Sequence, residues 1–252
     1  MGHERIGLLP KSKKWRDIIN LLSDFQGDPE SVKEIAARTL SNVQNKLSNI
    51  YDDDGFSKSF KFLVAAAGSF SDANAALSLE SLNISIPDNP NPISFAIELK
   101  RWLPPNNLSE IGTIAQEAAV DALAGFYRQH MSLGSDLLGV IPVEKCWKEM
   151  STAGGFSELA RLFFSNYTNR YLNYFLEREA ATSLGSLSKR LDFSEQINQH
   201  AFETAKITQS FSAGWYAKQL KKDNFPSDQL IKGFLKVTSE KLFDEIKREA
   251  DK

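Results

Sequence analysis

Imidazole and thiol chemistry have few carriers in this chain: three histidines, His3, His130 and His200, and a single cysteine, Cys146. His200 and Glu203 stand three residues apart in a stretch of helical pattern. Side chains at that spacing share a face, which makes the pair a candidate for acid–base work or for half of a metal site. A half-buried, hydrogen-bonded histidine beside an apolar face is the simpler reading. His3 belongs to the triplet His3-Glu4-Arg5, an imidazole next to a carboxylate. Adjacent residues near a terminus seldom converge on one pocket, so a surface-lying arm is expected there. His130 falls near a helix C-terminus, where a favourable interaction with the helix dipole accounts for it. Cys146 is flanked by Lys145, Trp147 and Lys148; amines lower a thiol pKa, but with no histidine close by a small core residue is the expectation.

Fixed positive charge offers a second kind of site. Asn166, Arg170 and Asn173 follow one another at spacings of four and three, among tyrosines and phenylalanines. On one helical stripe they form the best internal binding candidate, because a guanidinium there can receive an anionic ligand or a partner's carboxylate. Tying two helices together through buried hydrogen bonds is the favoured alternative. Lys11, Lys13, Lys14 and Arg16 surround Trp15, the composition used for phosphate contact and base stacking. Trp15 also opens the apolar stripe of the first helix, which weighs against nucleic acid. The segment just ahead, Ile6-Gly7-Leu8-Leu9-Pro10, is too short to fold alone. It suits docking across another surface, in this chain or in a neighbouring subunit.

Absent signatures narrow the chemistry. Neither glycine-built phosphate cradle occurs, nor the serine-hydrolase turn, nor H-E-x-x-H. Glu-x-x-His, the inward-facing pair of helical carboxylate metal sites, is missing as well. Asp52-Asp53-Asp54-Gly55 lacks the spaced ligands and closing glutamate of a calcium loop. No catalytic residue, metal or cofactor is assigned.

These residues must be positioned by helices, because the hydrophobic period is helical nearly throughout. The chain has 252 residues, 42% apolar, with 30 basic against 32 acidic side chains; phosphate-coating proteins usually carry a basic excess. One cysteine excludes an internal disulfide and fits a reducing compartment. The longest apolar run, Phe62 to Gly68, is far short of the roughly 20 residues that span a bilayer. No secretory signal pattern opens the sequence. A cytoplasmic location without a membrane span is expected.

Trp15, Ile18, Ile19, Leu22 and Phe25 make the first stripe, and Asp28-Pro29 starts the second helix with an N-cap and a first-turn proline. A third helix covers Phe56 to Ala67, and a short one is expected over Asp72 to Leu82. The proline-rich loop 83–92 is a candidate boundary between two lobes. Helices are then expected over Ile93–Leu103 and Leu108–Met131, with one turn at Lys145–Glu149. Phe156 to Glu179 is apolar over so wide an arc that it reads as a central, aromatic-rich helix. Asp192 with Glu195 suggests a cap for a long helix to Lys222, carrying Ile197, Ala201, Phe211 and Trp215. Pro226-Ser227 begins the last one.

The expected fold is all-α, a multi-helix orthogonal or bundle-like globular domain of about eight to nine helices. An arm at 1–14 precedes a single domain at 15–252. The function expected is a non-enzymatic adaptor or scaffold acting through another protein or through self-association. Nucleic-acid binding through Lys11–Arg16 is the alternative, and a membrane-acting effector built on Phe62 to Ala76 is a more remote one.

Overall fold

Small polar residues set the helix starts. The computed structural model describes residues 12–43, 49–72, 76–88, 90–132 and 143–251. Among the described residues there are ten α-helices, three short 3-10 turns and no strand. The helices are α1 (Lys13–Asp24), α2 (Pro29–Asn42), α3 (Asp54–Gly68), α4 (Pro92–Trp102) and α5 (Glu110–Ser132), followed by α6 (Val143–Met150), α7 (Ala153–Ser183), α8 (Leu187–Thr204), α9 (Ile207–Gln219) and α10 (Asp228–Ala250). Asp28 caps α2 by accepting from the Ser31 N–H, with Pro29 in the first turn. Asn91 and Ser94 form a reciprocal capping box at α4. Thr152, Ser186 and Ser227 accept from backbone N–H groups at the starts of α7, α8 and α10. Each such cap satisfies a donor that the helix itself leaves unpaired.

The 31 residues of α7, about 46 Å long at 1.5 Å per residue, form the axis of packing. It touches α5, α8 and α9 extensively and α1, α3 and α6 more locally. Buried side chains point from it in every direction, from Phe156 and Phe163 to Tyr171 and Leu176. α5 runs antiparallel beside it: Arg170 meets Glu117, whereas Glu158 meets His130. Fully buried alanines at 115, 118, 119 and 122 let α5 approach closely. Across the other side of α5, a Cβ on Gly55 would lie 2.5 Å from the Cα of Gly112, so two backbones meet where only hydrogens fit. One contiguous cluster of buried side chains runs from Trp15 to Ile246.

Several expectations need correction. Among the described residues ten helices stand where about eight to nine were expected from periodicity. The expected helix from Asp192 to Lys222 is two helices, because its backbone bonding tightens to three-residue spacing at Ala205–Gln209. That step resets the helical phase. Phe211, expected inside, is partly exposed, while Thr208, Ser212 and Tyr216 face inward. Asp192 is not the cap of α8; it sits inside the helix and accepts from Gln196, and Ser186 caps instead. Gly185, at φ +61°, stops α7 in the left-handed conformation that glycine adopts cheaply. In place of a helix over Asp72 to Leu82, the described part holds a 3-10 turn at Glu80–Leu82; residues 73–75 lie outside the described residues. α6 has eight residues rather than one turn.

The proline-rich stretch between Asn83 and Pro92 is seated on the body. Ile84 is buried in the core, and the Trp147 indole N–H donates to the Pro90 carbonyl at 2.9 Å. Among the described residues no helix is long and apolar enough to cross a membrane.

Candidate functional site

Arg170 lies where α7 passes α5. Its guanidinium donates to Asp121 at 2.8 Å through Nε and to Glu117 at 2.6 Å through Nη1. Glu117 and Asp121 are four apart on α5, so one cation joins two turns of the facing helix. Asn173, about one turn along, donates to Asn169 at 3.1 Å, and Asn166 is half-buried on the same helix. Both forks of the guanidinium are therefore engaged within the chain. Its partners Glu117 and Asp121 are not singled out by the sequence. Their i, i+4 spacing was the available signal, but it does not say which cation they meet.

Replacing Arg170 by methionine keeps the apolar stem and removes the charge. The expected cost is about 1 kcal/mol of unfolding free energy, the upper end for a partly exposed pair. Urea midpoints of wild type and Arg170→Met measured at low and high salt check this. The difference should shrink with salt, as charge screening requires, whereas a salt-independent difference would assign the side chain to packing alone.

Beside this ion pair a half-open cleft of about 290 Å³ separates the first turns of α5 from the middle of α7. Ile111 and Ile114 line one wall and Tyr171, Tyr174 and Phe175 the other, with Ser109 and Glu110 at one end. Burial, and then the neighbouring Tyr174 and Glu110, raise the Tyr171 phenol above its ordinary pKa, so it stays a neutral donor. Trp15 stacks on Phe175 at 5.6 Å between ring centroids. Ser109 donates to Asp53, which also caps α3 through the Phe56 N–H. The aspartate-rich turn is thus a junction between two helix starts.

Trp15 is turned inward, 4% exposed, and its ring face is taken by Phe175. The stacking half of the Lys11–Arg16 cluster is accordingly closed to a nucleobase, while Lys13, Lys14 and Arg16 are exposed. Lys11 and His3 lie outside the described residues.

His200 is buried, and its Nε2 has no hydrogen-bond partner. Glu203 faces solvent, where Gln199 donates to it. The two do not meet as an acid–base pair. Burial lowers the His200 pKa below 6.5, and the Lys33 charge adds to this; Glu203, Glu249 and Glu30 pull the other way. A histidine with a depressed folded pKa resists the proton that the unfolded chain accepts. Stability is complete above pH 6.5 and is lost as pH falls through the folded value. His200→Gln should flatten that part of the acid limb. Urea midpoints at about pH 7.5 and about pH 5.5 test it: the wild type should lose more between them than the variant, and equal losses would remove His200 from the titration.

His130 accepts a role beyond the helix end. It stacks on Phe126 at 4.1 Å and approaches Glu158 at 3.2 Å, fastening the last turns of α5 to α7. Cys146 is 2% exposed, and burial, with Glu158 nearby, pushes its thiol up to about 11. It is a core residue held as an unreactive thiol. Arg161 stacks over Phe202 at 3.8 Å and donates to the Phe202 carbonyl, a tie between α7 and α8 that sequence spacing did not suggest. Among the described residues no three His, Cys, Asp or Glu side chains are placed to hold a metal ion.

Comparison with family models, with curated proteins and with solved structures finds no match to this chain.

Proposed function

We propose that the chain is a non-enzymatic helical adaptor or scaffold, acting through contacts with another protein or with a second copy of itself. The observation that carries this reading is a strip of aliphatic side chains left in water on rigid helix faces. Leu187 and Leu191, one turn apart on α8, are 63% and 62% exposed. Ile93 and Ile97 repeat the arrangement on α4 at 68% and 51%. Single exposed aliphatics are ordinary, but i, i+4 pairs form a continuous strip of the kind a partner groove reads. Each such side chain contributes about 1.5–3 kcal/mol when taken fully out of water, so two on one face are enough to matter.

The wider reading is a cytoplasmic protein with one bundle-like domain; α1 opens that domain at Lys13, so the expected arm boundary at residue 14 moves ahead of the helix. The continuity of buried side chains from Trp15 to Ile246 supports the single domain. Light scattering during size-exclusion chromatography tests the function, using Leu187→Glu/Leu191→Glu and Ile93→Glu/Ile97→Glu. The expected result is a wild-type assembly, with itself or with a co-purified protein, that at least one double variant dissolves without a change in melting temperature. An assembly that survives both variants would overturn the assignment of these strips.

A further inference from the structure

The first turn of α1 packs on the aromatic wall of the α5–α7 cleft. α1 begins on Phe175, where Trp15 stacks. It ends at Phe25, which packs edge-on against Phe193 and whose carbonyl accepts from Lys189. Between those contacts α7 runs out to Ser183 and α8 begins at Leu187. α1 therefore lies along the last part of α7 in the same direction. α1 thus starts beside Phe175, which belongs with Tyr171 and Tyr174 to the aromatic wall of the cleft.

We propose that this cleft is a binding site for a short apolar segment with basic flanks, and that its occupant is Ile6–Pro10 of the same chain. Reach allows it: three to four extended residues span roughly 10–14 Å, which carries Leu9 and Leu8 from Ser12 over the cleft. Size fits side chains rather than a cofactor, since about 290 Å³ lies at the foot of the ~300–1,000 Å³ range of small-molecule pockets. Chemistry matches as well. Ile6, Leu8 and Leu9 meet two isoleucines and an aromatic wall, and Pro10 stiffens the exit toward α1. Arg5 and Lys11 flank the segment. The facing edge of α5 carries Glu110, Glu117 and Asp121, and Arg170 neutralises only one of those three charges. This seat is separate from the aliphatic strips on α4 and α8, so the two readings stand or fall independently.

Photo-crosslinking of the full chain tests the seat. With Leu9→p-benzoylphenylalanine, irradiation should give a product of monomer mass whose link maps to Ile111, Ile114 or Tyr174. A link elsewhere, or one joining two chains at dimer mass, would overturn the intramolecular occupant. Because a benzophenone is bulkier than leucine, hydroxyl-radical labelling of Leu8→Asp/Leu9→Asp supplies a second measurement. Labelling of Tyr174 and Ile114 should rise several-fold over wild type, with Leu187 unchanged as an internal standard. Equal labelling of Tyr174 in both proteins would sink the proposal.

Discussion

Phe60→Ala is expected to cost about 3–5 kcal/mol, as deletion of a fully buried phenyl ring does. The ring is completely enclosed. It lies stacked against Phe234 at 5.3 Å and makes tilted or edge contacts with Phe156, Phe163, Phe164 and Trp215 at 5.7–6.2 Å. One side chain of α3 thus joins α7, α9 and α10. Its loss removes the transfer free energy of the ring and leaves a cavity whose aromatic walls cannot collapse without breaking one another's contacts. Against a total stability of about 5–15 kcal/mol, the variant should be partly unfolded in mild denaturant. Phe60→Leu, which keeps most of the volume, should cost about 1 kcal/mol. Urea unfolding of the three proteins measures both. A wild-type midpoint for Phe60→Ala would mean that these rings do not form one packed unit.

Gly154 and Gly155 should respond to alanine with opposite signs. A Cβ on Gly155 would sit 2.0 Å from the Glu149 carbonyl oxygen and 2.9 Å from the Met150 Cα. Both are backbone atoms in the last turn of α6, and only Ser151 and Thr152 connect α6 to α7. Neither helix can yield alone, so Gly155→Ala is expected to cost about 3 kcal/mol, the upper end for overpacking. At Gly154 the nearest foreign atom would be the Thr152 hydroxyl at 3.8 Å, an ordinary contact. Alanine there should stabilise by about 0.4–1 kcal/mol, through reduced freedom of the unfolded chain. Thermal melts of the two single variants read the difference directly. Equal effects would contradict the close approach of α6 to α7.

The two glycines also show where sequence reading ends. They are neighbours in one polar-to-apolar transition, and no periodicity separates them; only the path of α6 does. By contrast, Asp28-Pro29 announced α2 outright, because a cap and a first-turn proline act locally. The wide apolar arc of Phe156–Glu179 likewise announced a helix buried on several sides. The break after Thr204 was not legible. It carries no glycine or proline, and arises where hydroxyls of Thr204 and Thr208 bond to nearby carbonyls. Missing that step put Phe211 on the wrong face. At the candidate site, the stripe of Asn166, Arg170 and Asn173 was visible as polarity within an aromatic helix. Its partners were not, since Glu117 and Asp121 stand 53 and 49 residues from Arg170. The cleft beside them is a product of packing and has no sequence signature.

Native mass spectrometry of the chain, purified gently from its own host without nuclease treatment, tests the adaptor reading most directly. The account predicts a discrete complex, homo-oligomeric or with a second protein, that is lost when Leu187 and Leu191, or Ile93 and Ile97, become glutamate. A bare monomer at every concentration would contradict it, and co-purifying nucleic acid would instead move the function to the exposed cations Lys13, Lys14 and Arg16.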